Sequence, residues 1–168
     1  MNARSPLTMA DTASSTAHAP NQGKPVAGPD RHIPFLELIS ARRESVGKGV
    51  AVVAVELRPD LLNNHGGGHG GVVMTLLDSA MANAALGLVD FAREVVTIDM
   101  HVGFMRPASG RLVATGRTTG GGRSVCFCEA ELVDGTGAVV AKAMGTFRYR
   151  APVNASPDTD NDHAQGTP

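Results

Sequence analysis

Apolar side chains recur along this chain with two different periods, and the change from one to the other organises it. Residues 33–42, IPFLELISAR, space Phe35, Leu36, Leu38 and Ile39 as a short amphipathic helix does. Residues 47–57, GKGVAVVAVEL, are dense in valine and predict a first strand. A glycine-rich loop, 63–71, leads into residues 72–88, which are crowded with alanine and methionine. That run predicts a helix with most of its circumference buried. From residue 94 the period is two. Val96, Ile98, Met100, Val102 and Phe104 then share one face, and Thr97, Asp99 and His101 the other. Residues 111–119 and 123–133 predict two further strands, the second with Cys126, Cys128, Ala130 and Leu132 on one side. Asp134-Gly135-Thr136-Gly137 predicts a hairpin turn, and 138–150 completes the sheet.

This order, one strand, a long buried helix and then four consecutive strands, predicts an α+β layer structure with one long helix against five strands. Short turns predict that the last four strands are neighbours in sequence order. One helix against so few strands leaves the helix poorly covered and a sheet edge open, and both features predict self-association. Residues 31–150 form the expected domain. Residues 1–30 and 151–168 are rich in small and polar residues. They cannot bury enough surface to offset the entropy of ordering and are expected to be disordered tails.

Charge adds little until its distribution is considered. A net charge of −1 argues against a general nucleic-acid or membrane-surface binder. Residues 101–150, however, hold seven bases against three acids, an excess that suits a small anionic ligand or, equally, solvated strand faces. No 18-residue apolar run is free of charge and glycine, so no membrane span is expected. The N-terminal stretch lacks the apolar core of a signal peptide. Cys126 and Cys128 are too close together to staple elements, which suits a reducing, cytoplasmic setting.

The candidate chemistry lies in residues 63–85, NNHGGGHGGVVMTLLDSAMANAA. Asp78 is the only charge in the predicted helix. A carboxylate there costs several kcal/mol unless it is paired or functional, and burial would raise its pKa towards useful basicity. Its structural alternative is the N-cap of a shorter helix starting at Ser79. Free N–H groups at the helix start, with glycine at 70 and 71, would let a carbonyl oxygen approach the backbone and accept from it. Gly70 and Asp78 are eight residues apart, roughly 12 Å along a helix. One reacting carbon cannot touch both within a chain, so if both act, Asp78 serves the partner's site. His65 and His69 are four apart, but the glycines between them make a metal-binding helix improbable. His69 is expected to fix the loop by hydrogen bonds.

The pattern from Asn63 through His69-Gly70-Gly71 to Asp78, nine residues beyond His69, followed by TIDMHVGFMRPASG, resembles the hotdog-fold acyl-CoA thioesterases of the phenylacetate-pathway (PaaI-like) type, over about residues 45–149. The resemblance implies a curved antiparallel sheet of about five to six strands wrapped round a long central helix, paired into a dimer or a dimer of dimers, acting on acyl-CoA with no metal or organic cofactor. It implies Asp78 as general base or nucleophile, Gly70 as donor to the thioester oxygen, Asn63 as a polar group at the reacting centre, and Thr97 as the hydroxyl that places the attacking water. Strand alternation sets Thr97 opposite the core face, so it reaches the site only if that face borders the dimer seam. Arg106, Arg123 and Ser124 are candidates for the phosphates of coenzyme A, and Gly71 for close substrate approach. A non-catalytic acyl-CoA sensor and a hotdog dehydratase or hydratase are the alternatives. Five Phe and one Tyr give no evident aromatic acyl pocket.

Overall fold

The computed structural model describes Pro29 and residues 32–151; apart from Pro29 and Ala151, the expected tails lie outside the described residues. A short helix, α1 (Pro34–Leu38), is followed by β1 (Arg42–Gly47) and β2 (Val50–Glu56). After a 3-10 turn (Pro59–Leu61) come the long helix α2 (Gly70–Leu88) and four strands, β3 (Glu94–Phe104), β4 (Arg111–Gly121), β5 (Val125–Val133) and β6 (Val139–Arg150). All pairings are antiparallel, in the order β1-β2-β4-β5-β6-β3.

Two expectations from the sequence need correction here. The predicted helix 33–42 stops at Leu38, and its last residue opens a strand, so the valine-rich segment is the second strand, not the first. Lys48 and Gly49, at φ 50° and 76°, form the two-residue turn of that hairpin, a left-handed pair that matches strand twist. Consecutive strands are also not all neighbours. β3 crosses over and pairs with β6, at the far end of the sheet from β1.

The sheet curves round α2. Val72, Val73, Leu76, Leu77, Ala80, Met81, Ala84 and Ala85 bury one side of the helix against it. The inward residues of β5, Cys126, Cys128, Ala130 and Leu132, are buried as their alternation predicts. The two thiols are free, their sulfurs 3.8 Å apart, and burial pushes the Cys128 thiol up. From β6, the Tyr149 hydroxyl donates to the Ala85 carbonyl at 3.0 Å and ties the helix to the sheet.

Gly116 of β4 is where helix and sheet come closest. A Cβ there would overlap the Ala80 carbonyl and the Met81 amide, which are backbone and cannot swing away. Gly116→Ala should therefore cost about 2–3 kcal/mol, at the upper end for overpacking a core. Chemical denaturation checks this, against Gly122→Ala as a control where a Cβ meets nothing within 4 Å.

Candidate active site

The long helix begins where a glycine run frees the backbone. Asn63 organises the loop before it. Its Oδ1 accepts from the backbone N–H of His65 at 2.9 Å and of Gly67 at 3.2 Å, and its Nδ2 donates to the Gly68 carbonyl at 3.4 Å. His69 is the N-cap, extended at φ −61°, ψ 135°, and its Nδ1 accepts from the Gly71 N–H at 3.0 Å. Its carbonyl takes the amides of Val72 and Val73. Among the described residues only the Gly70 N–H of this turn has no acceptor. It sits at the positive end of α2, beside the Phe104 ring, which a Cβ on Gly70 would meet at 3.6 Å.

Asp78 lies mid-helix, two turns further on, which excludes the N-cap alternative. It is half-buried, and it faces an open groove rather than the core. The helix is thus less covered than its composition suggests. Thr75, Asp78, Ser79 and Asn83 line one stripe that the sheet leaves bare, with Met74 and Ala82 between them. Their spacing of three and four residues, which marks one helix face, is present in the sequence. The groove, of about 1130 Å³, is completed by α1, by Arg42 and Arg43 of β1, and by Glu94, Val95, Thr97 and Met100 of β3. Arg43 donates to the Asn83 Oδ1 at 3.1 Å, and Asn83 in turn to the Ser79 carbonyl at 2.8 Å.

Thr97 reaches Asp78 directly, its Oγ1 donating to Oδ1 at 2.8 Å. Simple alternation put Thr97 on the outer face, and a β-bulge overturns that. Thr97 pairs with Phe147 and Asp99 with Thr146, so Ile98 is an extra residue and the faces exchange across it. Val95, Met100 and Val102 pack against the core; Val96 and Ile98, placed on the core face by the pattern, are exposed.

Burial raises the Asp78 pKa, and the Thr97 hydrogen bond partly opposes it. Removing that bond by Thr97→Val should raise the pKa further. If ionised Asp78 is the active form, the acid limb of the activity profile should then move to higher pH; kcat/KM across pH 4–8 checks the shift.

The remaining candidates sit elsewhere. None of Asn63, His69, Gly70 and Gly71 lines the groove that holds Asp78. Arg106 follows the end of β3 and donates to the Val139 carbonyl at 2.7 Å. Arg123 and Ser124 are in the β4–β5 turn at the opposite end of that strand. There the Arg123 carbonyl accepts from Arg93, and the Ser124 carbonyl accepts from the Tyr149 N–H at 3.0 Å.

Residues 65–141 match the family described as Thioesterase superfamily. A protein of Saccharolobus solfataricus whose name proposes an esterase is 32% identical over 114 residues, 67% of this chain and 81% of its own length. The solved structure of a conserved Pseudomonas aeruginosa protein superposes with a TM-score of 0.69 at 31% identity, covering 73% of this chain and 100% of that one. A mutant of the phenylacetic acid degradation protein PaaI from Thermus thermophilus gives a TM-score of 0.63 at 30% identity, over 69% and 98%.

Proposed function

This chain belongs to the thioesterase superfamily, and from that premise we propose that it hydrolyses an acyl-CoA thioester to the free acid and coenzyme A, in a site built by two copies of the chain. One observation carries the reading: a half-buried carboxylate of raised pKa stands on the bare stripe of an apolar helix, oriented by a threonine hydroxyl.

In this reading Asp78 removes a proton from a water that attacks the thioester carbon; as a nucleophile it would instead attack that carbon itself, expel the thiolate to form a mixed anhydride, and be freed when a water hydrolyses the anhydride to the acid. Thr97 donates to one carboxylate oxygen and leaves the other for the water. The carbonyl oxygen, gaining negative charge, accepts from the Gly70 N–H at the positive end of the helix. In the general-base route, collapse of the tetrahedral intermediate breaks the carbon–sulfur bond, and the proton held by Asp78 passes to the departing thiolate. Asn63 and His69 shape the loop that presents Gly70.

The two groups belong to different copies. Eight residues separate them on one helix, about 12 Å at the helical rise. β3 supplies the seam: it is an edge strand of 11 residues whose outer flank pairs with nothing among the described residues. Asp78 is anchored to its first half through Thr97, and Gly70 lies beside its last residue, Phe104. Antiparallel pairing of two β3 strands brings the first half of one beside the second half of the other, twice, related by a two-fold axis.

Thiol release from a panel of acyl-CoAs tests the reading. Turnover of at least one acyl class is expected. Tight binding without cleavage of any would assign the site to a sensor instead.

A further inference from the structure

Apolar side chains exposed singly over a surface call for no explanation, but three of them here converge on one groove. Ile33, Phe35 and Met74 are exposed, Phe35 by 56%, and all three line the groove that holds Asp78. α1, which carries Phe35, buries none of its residues. Contacts along the groove fix its two walls. Arg43 of β1 donates to Asn83, and Val46 packs on Gly87, so β1 runs beside the second half of α2. α1 precedes β1 and therefore stands beside the first half, where Met74 and Thr75 line the groove. β3 forms the other wall and runs the opposite way. Thr97 meets Asp78 and Phe104 meets Gly70, which puts Met100 beside the first half and Glu94 beside the second. The groove is thus divided at Asp78 into two arms. The first carries Ile33, Phe35, Met74 and Met100, and its polar groups are satisfied locally: Thr75 donates to the Gly71 carbonyl at 2.8 Å, and Glu37 pairs with His32 at 2.6 Å. The second sets Arg42, Arg43, Asn83 and Glu94 round Ala82 and Leu86.

We propose, resting on the function above, that the arm beside α1 receives the acyl chain of an aliphatic acyl-CoA, and that Phe35 and Met74 set the preference for its length. Met74 lies one turn before Asp78, about 6 Å along the helix, so a chain must extend that far beyond the thioester carbon to meet it. An acetyl group is too short to gain from the arm. An octanoyl chain covers Met74 and Phe35 and takes their apolar surface out of water. Methionine, unbranched and flexible, adapts to such a chain. The same chain in the other arm would strip water from Arg43 and Asn83 and return no hydrogen bond to them.

The test compares octanoyl-CoA with acetyl-CoA on the full chain. The wild type should prefer octanoyl-CoA in kcat/KM, and Phe35→Ala should reduce that preference roughly tenfold, the scale of one lost apolar contact in a binding pocket. The loss should appear in KM more than in kcat, since the far end of the chain is held alike in ground and transition states. Phe35→Leu should recover part of it. Met74→Ala is an independent second variant and should act in the same direction; both side chains are exposed, so folding should survive. A wild type with no preference for octanoyl-CoA, or variants that keep the wild-type preference, would overturn the proposal. An equal fall for both thioesters would also overturn it, as would a Phe35→Ala chain that loses its dimer and keeps its preference, which would assign this wall to a second copy. If no acyl-CoA of the panel is cleaved, the proposed function fails. Calorimetric titration with octyl-CoA and ethyl-CoA, thioethers that cannot be hydrolysed, then still decides whether the arm holds the chain: tighter binding of octyl-CoA, weakened by Phe35→Ala, supports it, and equal binding overturns it.

Discussion

Replacing Asp78 by asparagine should lower kcat by about 10²- to 10⁴-fold and leave KM nearly unchanged, because the base is lost while the groove keeps its shape. The amide is close to the carboxylate in size, and its oxygen can still accept from Thr97. Folding should improve slightly. Burial raises the Asp78 pKa in the folded chain, so the native state holds that proton more tightly than the unfolded state does. The group's contribution to stability is then greatest below its unfolded value and falls as pH rises through the folded one. Above its folded pKa the ionised carboxylate opposes folding, and Asp78→Asn removes that cost. Stopped activity with an equal or higher Tm would identify a functional carboxylate; a loss of both would make Asp78 a structural group.

The sequence announced Asp78 because a single charge in an apolar helix has few structural excuses. Its hydroxyl partner was harder to place. In Val95-Val96-Thr97-Ile98 apolar side chains occur at both parities, so alternation cannot say which residue is extra. The register with β6 decides that, and it puts Thr97 on the helix side. β1 was hidden for a related reason: RRESVG has one large apolar side chain, and the helical spacing just before it extends far enough to absorb Arg42. Hairpins joined by tight turns, β1–β2 apart, were legible from local residues. The placement of β3 beside β6 is a long-range result of wrapping the sheet round α2, and no local pattern encodes it.

A mixed dimer tests the shared site. One chain carries Asp78→Asn, and the other carries Gly70→Pro, which deletes the N–H assigned to the carbonyl oxygen. Proline is tolerated at the first position of a helix, and His69 before it is already extended, as a residue preceding proline requires. Each homodimer should fold and be nearly inactive. In the heterodimer one site receives both substitutions and the other receives neither, so about half of wild-type activity per dimer should return. The decisive measurement is kcat of the purified, differentially tagged heterodimer with the best acyl-CoA. Recovery to about half is the predicted result, whereas a verified heterodimer as inactive as its folded parents would contradict a site shared between copies.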